Sequence, residues 1–398
     1  MITPGQPAIG GCRNTILRVG SHSLRRRNGR LAAALVVTAL SAAAVGYFAH
    51  AAQPTSPTPV ASVHVKCKDR STDTATLQHA INSSPVGAAI EFQGGTCLLT
   101  TGLTLLGDRT YTGENTTGTV LKQDGSASYI LASSAYVDNS KTTGDPLSIR
   151  DLTVSCDGSG NTDGIILLNW QVDVQNVDVS NCGGSGIVDT NTNLSGGAIT
   201  NTSVNSRFDN NFITNSGRYG FEVYDTDDSV TDGFLQDNQI ASSGLDAIHL
   251  DNAAGWYISG NHLYGVSQNA IYANRLFGTT ISGNYIEDFG DKKTSQTWYG
   301  ILGSVQDGFG STIVGNKVFN GDSEDGAKYV YIGITQVNSG TGHLSVTGNV
   351  IEGNHGSDTG IVVSGGSNKL EVSLSGNQIT NVGSVLANGG NVTITSGS

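Results

Sequence analysis

An asparagine with an apolar residue two places on recurs seven times in this 398-residue chain, at Asn211, Asn238, Asn261, Asn284, Asn316, Asn349 and Asn377. Successive positions differ by 27, 23, 23, 32, 33 and 28 residues. Between them lies a second phrase, small-apolar-x-apolar: Gly164-Ile165-Ile166-Leu167, Gly220-Phe221-Glu222-Val223, Ala247-Ile248-His249-Leu250, Ala270-Ile271-Tyr272-Ala273 and Gly360-Ile361-Val362-Val363. Short alternating runs separated by Gly/Asn turns, at a period near 23, predict one coil of a parallel β-helix per period. Asparagine suits such corners because it tolerates left-handed backbone and because stacked amides hydrogen-bond from coil to coil. Composition agrees: 54 Gly, 7 Pro and 14% charged residues exclude collagen, wholesale disorder and a long helical bundle, leaving an all-β fold.

Residues 1–51 stand apart. They hold six arginines and no acidic residue, and Arg25-Arg26-Arg27-Asn28-Gly29-Arg30 leads into the apolar run 31–49 and the small-x-small site Ala49-His50-Ala51. This predicts a secretory signal peptide over 1–51, with a retained single-span anchor as the alternative. A Pro/Ser/Thr-rich linker over 52–65 and one β-helix domain over 66–398 follow, and the expected location is extracellular, without stable membrane insertion after cleavage. Removal of the signal leaves 15 basic against 33 acidic side chains, a net charge of −18. Nucleic acid is disfavoured as a partner, since phosphate binding needs a basic face. Four cysteines remain. Leu152–Cys156 and Val177–Cys182 occupy the same part of successive coils with a one-residue slip, so Cys156 is expected to pair with Cys182, and Cys67 with Cys97.

The repeat resembles the right-handed, pectate-lyase-like parallel β-helix superfamily, as does Thr76-Leu77-Gln78-His79-Ala80-Ile81 followed by Gly94-Gly95-Thr96. That resemblance implies a short N-terminal α-helix capping a single right-handed parallel β-helix. It leaves activity open, because the scaffold carries hydrolases, lyases, epimerases and binding proteins.

Function is therefore sought on outward positions. Coil-by-coil alignment puts Ile166, Val188, Glu222, His249, Tyr272, Leu302, Gly333 and Val362 in one outward column, and Leu168, Thr190, Tyr224, Asp251, Asn274, Ser304, Thr335 and Ser364 in the next. Three adjacent coils carry the chemistry. Glu222, His249 and Asp251 are the catalytic candidates; Arg218, Tyr219, Tyr224, Asp225, Asp246, Tyr272, Asn274, Arg275 and Trp298 are the substrate-binding ones. Two carboxylates one coil and one strand step apart, roughly 8 Å, suit an inverting glycosidase, and Tyr224, Tyr272 and Trp298 offer flat faces to sugar rings. Longer inserts at 291–298 and 322–326 are expected to wall a groove.

The expected reaction is hydrolysis or glycosyl transfer on a polysaccharide or oligosaccharide. The alternatives are elimination or epimerisation of a polyuronate, with His249, Tyr272, Arg218 and Arg275 as base and cations, and a non-catalytic glycan-binding or surface structural role. Tyr219-Gly220-Phe221-Glu222-Val223-Tyr224-Asp225 resembles the mannuronan epimerase motif Tyr-Gly-Phe-Asp-Pro-His-Asp, with Tyr224 in place of the catalytic His. Asn161-Thr162-Asp163-Gly164 resembles one polygalacturonase motif but lacks that family's companion motifs, and is taken as a turn. No cofactor is expected. Calcium stays open through Asp225-Thr226-Asp227-Asp228 with Asp232, read as a solvated acidic turn because the calcium-loop spacing is absent.

Overall fold

The computed structural model describes residues 61–199, 201–291, 296–321 and 327–396. The signal-like segment 1–51, most of the linker, and insert residues 292–295 and 322–326 lie outside the described residues. The chain from Ser62 onward is wound into coils in which every strand pairing outside one isolated bridge is parallel. The described strands form a 22-stranded sheet and an 11-stranded sheet. Parallel pairing follows from the repeat, because each strand meets its equivalent one coil later. The domain begins earlier than the sequence suggests: Ser62–Lys66, placed partly in the linker, pairs with Ala89–Gln93.

Alternation drives the winding. Strand residues such as Leu103, Leu105, Ile149, Val174, Phe208 and Leu250 point inward and are fully buried, and their stack forms one apolar core from Val65 to Val372. The helix Asp73–Ser83 adds Leu77 and Ile81 to this core. Its polar face does a second job: the Gln78 side chain accepts from Thr104 N (2.8 Å) and donates to Thr104 O (3.0 Å), meeting the outermost strand of the 11-stranded sheet. An open sheet edge is thereby satisfied by one amide.

The asparagines form a continuous ladder. Each Nδ2 donates to the Oδ1 of the next from Asn211 through Asn377, at 2.9–3.0 Å, and each also donates to a backbone carbonyl of the preceding coil. One part of the expectation needs correcting. The left-handed residue is not the ladder asparagine but the one before it: Asn210, Asp237, Gly260, Gly283, Gly315, Gly348 and Gly376 all have φ between 53° and 67°. The preceding Gly, Asp or Asn turns the chain, and the ladder Asn is thereby aimed inward.

Both expected disulfides are present, Cys67–Cys97 and Cys156–Cys182, with Cα separations of 4.7 and 4.8 Å. Val177 pairs with Leu152 and Ser180 with Ser155, which sets Cys156 opposite Asn181 and confirms the one-residue slip. No described helix is long and apolar enough to cross a membrane.

Candidate active site

The first outward column is intact: Ile166, Val188, Glu222, His249, Tyr272, Leu302, Gly333 and Val362 are successive register partners. Tyr224 pairs with Asp251, so Glu222 and Asp251 are diagonal neighbours as expected. The second column breaks further along. Ser304 pairs with Gln336 rather than Thr335, because the ladder shifts register beside Gly303 and leaves Thr335 as an extra residue.

Glu222 is outward in register yet only 4% exposed. Its Oε2 accepts a 2.6 Å hydrogen bond from Ser185 Oγ, and its Oε1 lies 3.4 Å from an Arg218 nitrogen. Ser185 also donates its backbone N–H to Asp163 Oδ1 at 2.6 Å. One serine therefore holds two carboxyl groups from the coils on either side of it. The chain makes room for this approach at Gly184, where a β-carbon would collide with Asp163 Oδ1. Desolvation pushes the Asp163 carboxyl up to about 6, with the negative charge of Glu222 adding to it and Ser185 N–H and Arg218 opposing it.

These groups open into a cleft of about 350 Å³ lined by Tyr136, Asp163, Ile166, Val188, Thr190, Asn193, Arg218, Glu222 and Tyr224. Its wall among the described residues comes from two segments. It is built from the short helix Ser134–Val137 and the 191–199 segment, tied together by Leu194 N to Tyr136 O, Ser195 N to Asn139 Oδ1 and Asn193 Nδ2 to Ser140 O. Asp163, Ser185 and Tyr136 were missed as site residues. The signal for Asp163 was its Asn-Thr-Asp-Gly context, read as a turn; Tyr136 carried no signal, since it reaches the cleft from a segment outside the repeat.

A second constellation adjoins the cleft on the next two coils. The His249 ring is sandwiched between Tyr219, with centroids 4.0 Å apart, and Tyr272, 4.6 Å apart, both nearly parallel to it. His249 Nδ1 lies 2.8 Å from Asp246 Oδ2, while Asp246 Oδ1 accepts from Asn269 N and Nδ2. Asp246 is buried, with both carboxyl oxygens engaged by the chain itself, and it aims the Nε2 edge of His249 away from itself. Burial, aided by Asp246 and neighbouring carboxylates, raises both the Tyr219 and the Tyr272 phenol. Asn274 Nδ2 hydrogen-bonds Asp251 Oδ1.

Three other sequence candidates are placed elsewhere. Trp298 is 6% exposed and belongs to the core. Its strand buries both Gly300 and Ile301, which breaks the alternation and turns Trp298 inward. Asp225 is buried, its carboxylate accepting from Val230 N, Asp227 N and Asn191 Nδ2, so it closes a turn. Arg275 lies around the corner, paired with Asp228 at 3.1 Å and bonded to Gln306 and the Asn252 carbonyl. Among the described residues no group of three or more His, Cys, Asp or Glu is arranged to hold a metal ion.

No curated protein matches the sequence. Among solved structures, the A-module of the Azotobacter vinelandii mannuronan C-5 epimerase AlgE4 is similar at TM-score 0.52 and 18% identity, over 81% of this chain and 95% of that module. The gp42 tailspike of Acinetobacter phage vb_AbaP_AS12 is similar at TM-score 0.59 and 9% identity, over 84% of this chain and 62% of the tailspike. Tailspike protein 2 of an Escherichia coli O157:H7 bacteriophage is similar at TM-score 0.51 and 13% identity, over 76% of this chain and 40% of that one. The chain thus spans less than two thirds of either tailspike. At these identities the likeness is one of fold. Residues 196–398 match the family described as the right handed beta helix region, and with its parallel coils and stacked core this chain belongs to the right-handed β-helix family.

Proposed function

We propose that this chain is an exported glycoside hydrolase that acts on a polysaccharide lying along the coils, with Asp163 as general acid and Glu222 as its carboxylate partner. The observation that carries the reading is the pair of carboxyl groups bridged by Ser185 on the wall of a cleft, one of them raised to about 6. A carboxyl raised to about 6 by burial keeps its proton in mildly acidic solution and can deliver it to a departing glycosidic oxygen. Glu222, oriented by Ser185 and Arg218, then serves as the base that activates water or as the nucleophile. Half-exposed Tyr224 and the Tyr136 ring supply flat apolar surface to a sugar, a contact that requires no substrate charge. The mature net charge of −18 favours a neutral chain over a polyuronate, and the two disulfides suit an oxidising, extracellular setting.

A second reading rests on the Asp246–His249 pair. An imidazole oriented by a buried carboxylate and flanked by two tyrosines is arranged for proton abstraction, the step that elimination and epimerisation share. The name of the Azotobacter relative makes mannuronan the natural polyuronate to try. The purified chain should be assayed against a polysaccharide panel for both new reducing ends and unsaturated-uronate absorbance. Reducing ends without that absorbance, lost in Asp163→Asn and retained in His249→Gln, are the expected result. Unsaturated product, or a changed uronate epimer ratio by NMR without either of the other signals, lost in His249→Gln would establish the second reading, and none of these products from any polysaccharide would leave glycan binding.

A further inference from the structure

Asp189 is the one inward-facing carboxyl on the strand that floors the cleft. Its register partners are Leu167 on one coil and Val223 on the next, both part of the apolar core. It is 0% exposed, and no hydrogen bond of ordinary geometry reaches either carboxyl oxygen among the described residues; the Ser206 hydroxyl and the Thr190 N–H lie close enough to ease a charge there without closing such a bond. The two residues flanking it in sequence, Val188 and Thr190, both line the cleft. A carboxylate has no place in such a position. An uncompensated buried charge costs several kcal/mol, so the group either keeps its proton or the structure around it must open to admit water.

We propose that Asp189 is a proton-held latch: the coil beneath the cleft stays closed while this carboxyl is neutral and loosens when it ionises, so that alkaline conditions open the cleft floor from the inside. The surroundings agree. Burial pushes the carboxyl up to about 8, the negative charge of Asp225 works in the same direction, and the Ser206 hydroxyl and the Thr190 N–H oppose it. Its register partners Leu167 and Val223 and the neighbouring Ser206 do not titrate; Asp225 is the charge that reaches it. The sign follows from proton linkage. The folded chain holds a proton that the unfolded chain releases near pH 4, so this group's contribution to stability is greatest at low pH and falls as pH rises toward about 8. The inference stands whether or not the cleft hydrolyses anything, since it concerns only how the cleft floor is held.

The test is a melting curve of the full exported chain at intervals from pH 5 to pH 9, for the wild type and for Asp189→Asn, an uncharged isostere. The wild type should lose at least about 5 °C more than the variant across that range, and amide exchange, corrected for intrinsic rates, should accelerate over residues 187–192 at the alkaline end in the wild type alone. Parallel melting profiles in the two proteins would overturn the proposal. Asp189→Val, matched to its apolar neighbours, replaces the first variant if that one does not fold. Should neither fold, the infrared band of a protonated carboxyl at pH 7 in the wild type decides: its presence supports the latch and its absence refutes it.

Discussion

The asparagine ladder and the Glu222 column are built by the same device and put to opposite uses. Both are columns of residues in register from coil to coil. In the ladder, every rung is the same residue making the same bonds, so each amide satisfies its neighbours and nothing is left over for a ligand. In the column of Glu222, His249 and Tyr272, each rung is a different residue, and its hydrogen-bond and ion-pair partners come from off the column: Ser185 and Arg218 for Glu222, Asp246 for His249. On a repetitive scaffold, uniform columns carry stability and heterogeneous columns concentrate unlike chemical groups. Departure from the repeat, rather than the repeat itself, marks the site.

Substitutions in the two columns should fail in different assays. Asp163→Asn and Glu222→Gln are expected to cut turnover at least about a thousandfold, as loss of a positioned acid or base does, while the far-UV spectrum is retained. If either variant keeps full activity, the hydrolase assignment of that carboxyl is wrong. The same pair predicts a pH profile. Catalysis needs Asp163 protonated, so kcat/KM should decline about tenfold per pH unit above about 6. Because its folded carboxyl is raised, Asp163 also contributes stability at low pH that is lost between about 4 and about 6. Asp163→Asn should flatten that part of the stability curve, which a calorimetric pH series would measure.

Trp298→Ala sharpens the contrast from the other side. The ring lies in the core, so the expected outcome is a loss of about 3–5 kcal/mol of stability, with turnover per folded molecule unchanged; a substrate platform would show the reverse. Asn261→Ala leaves the donors of Asn238 and the carbonyl of Leu235 unmatched in a buried rung, and should cost about 2–3 kcal/mol in chemical denaturation. The smallest effect is expected from Tyr224→Ala at the cleft rim, a severalfold rise in KM with little change in kcat. An unchanged KM would remove Tyr224 from the substrate path.

Residues that interact within the repeat were legible, and residues that interact across its interruptions were not. The column Ile166 to Val362 could be aligned because period and alternation locate a strand and its partner together. Alignment failed wherever alternation broke, at Thr335, where the strand carries an extra residue, and at Trp298, where two consecutive buried positions reverse the facing. Exposure was the weaker inference. Outward register implies solvent contact, yet Glu222 is buried, held by Ser185 of the preceding coil and by Arg218.

By itself, then, the amino-acid order determined the coil, the stacked asparagines, the two disulfides and which side chains share a column, because these depend on period-two alternation and a recurring turn motif, both local properties of a chain. Tertiary structure alone decided that Asp163 and Glu222 share Ser185, that the wall of their cleft comes from 134–140 and 191–199, and that Asp189 lies sealed among apolar neighbours. Those relations join residues some twenty to sixty positions apart through side-chain reach and burial. Neither quantity is written in the spacing of a repeat; both arise only when unlike coils are packed together and water is excluded between them.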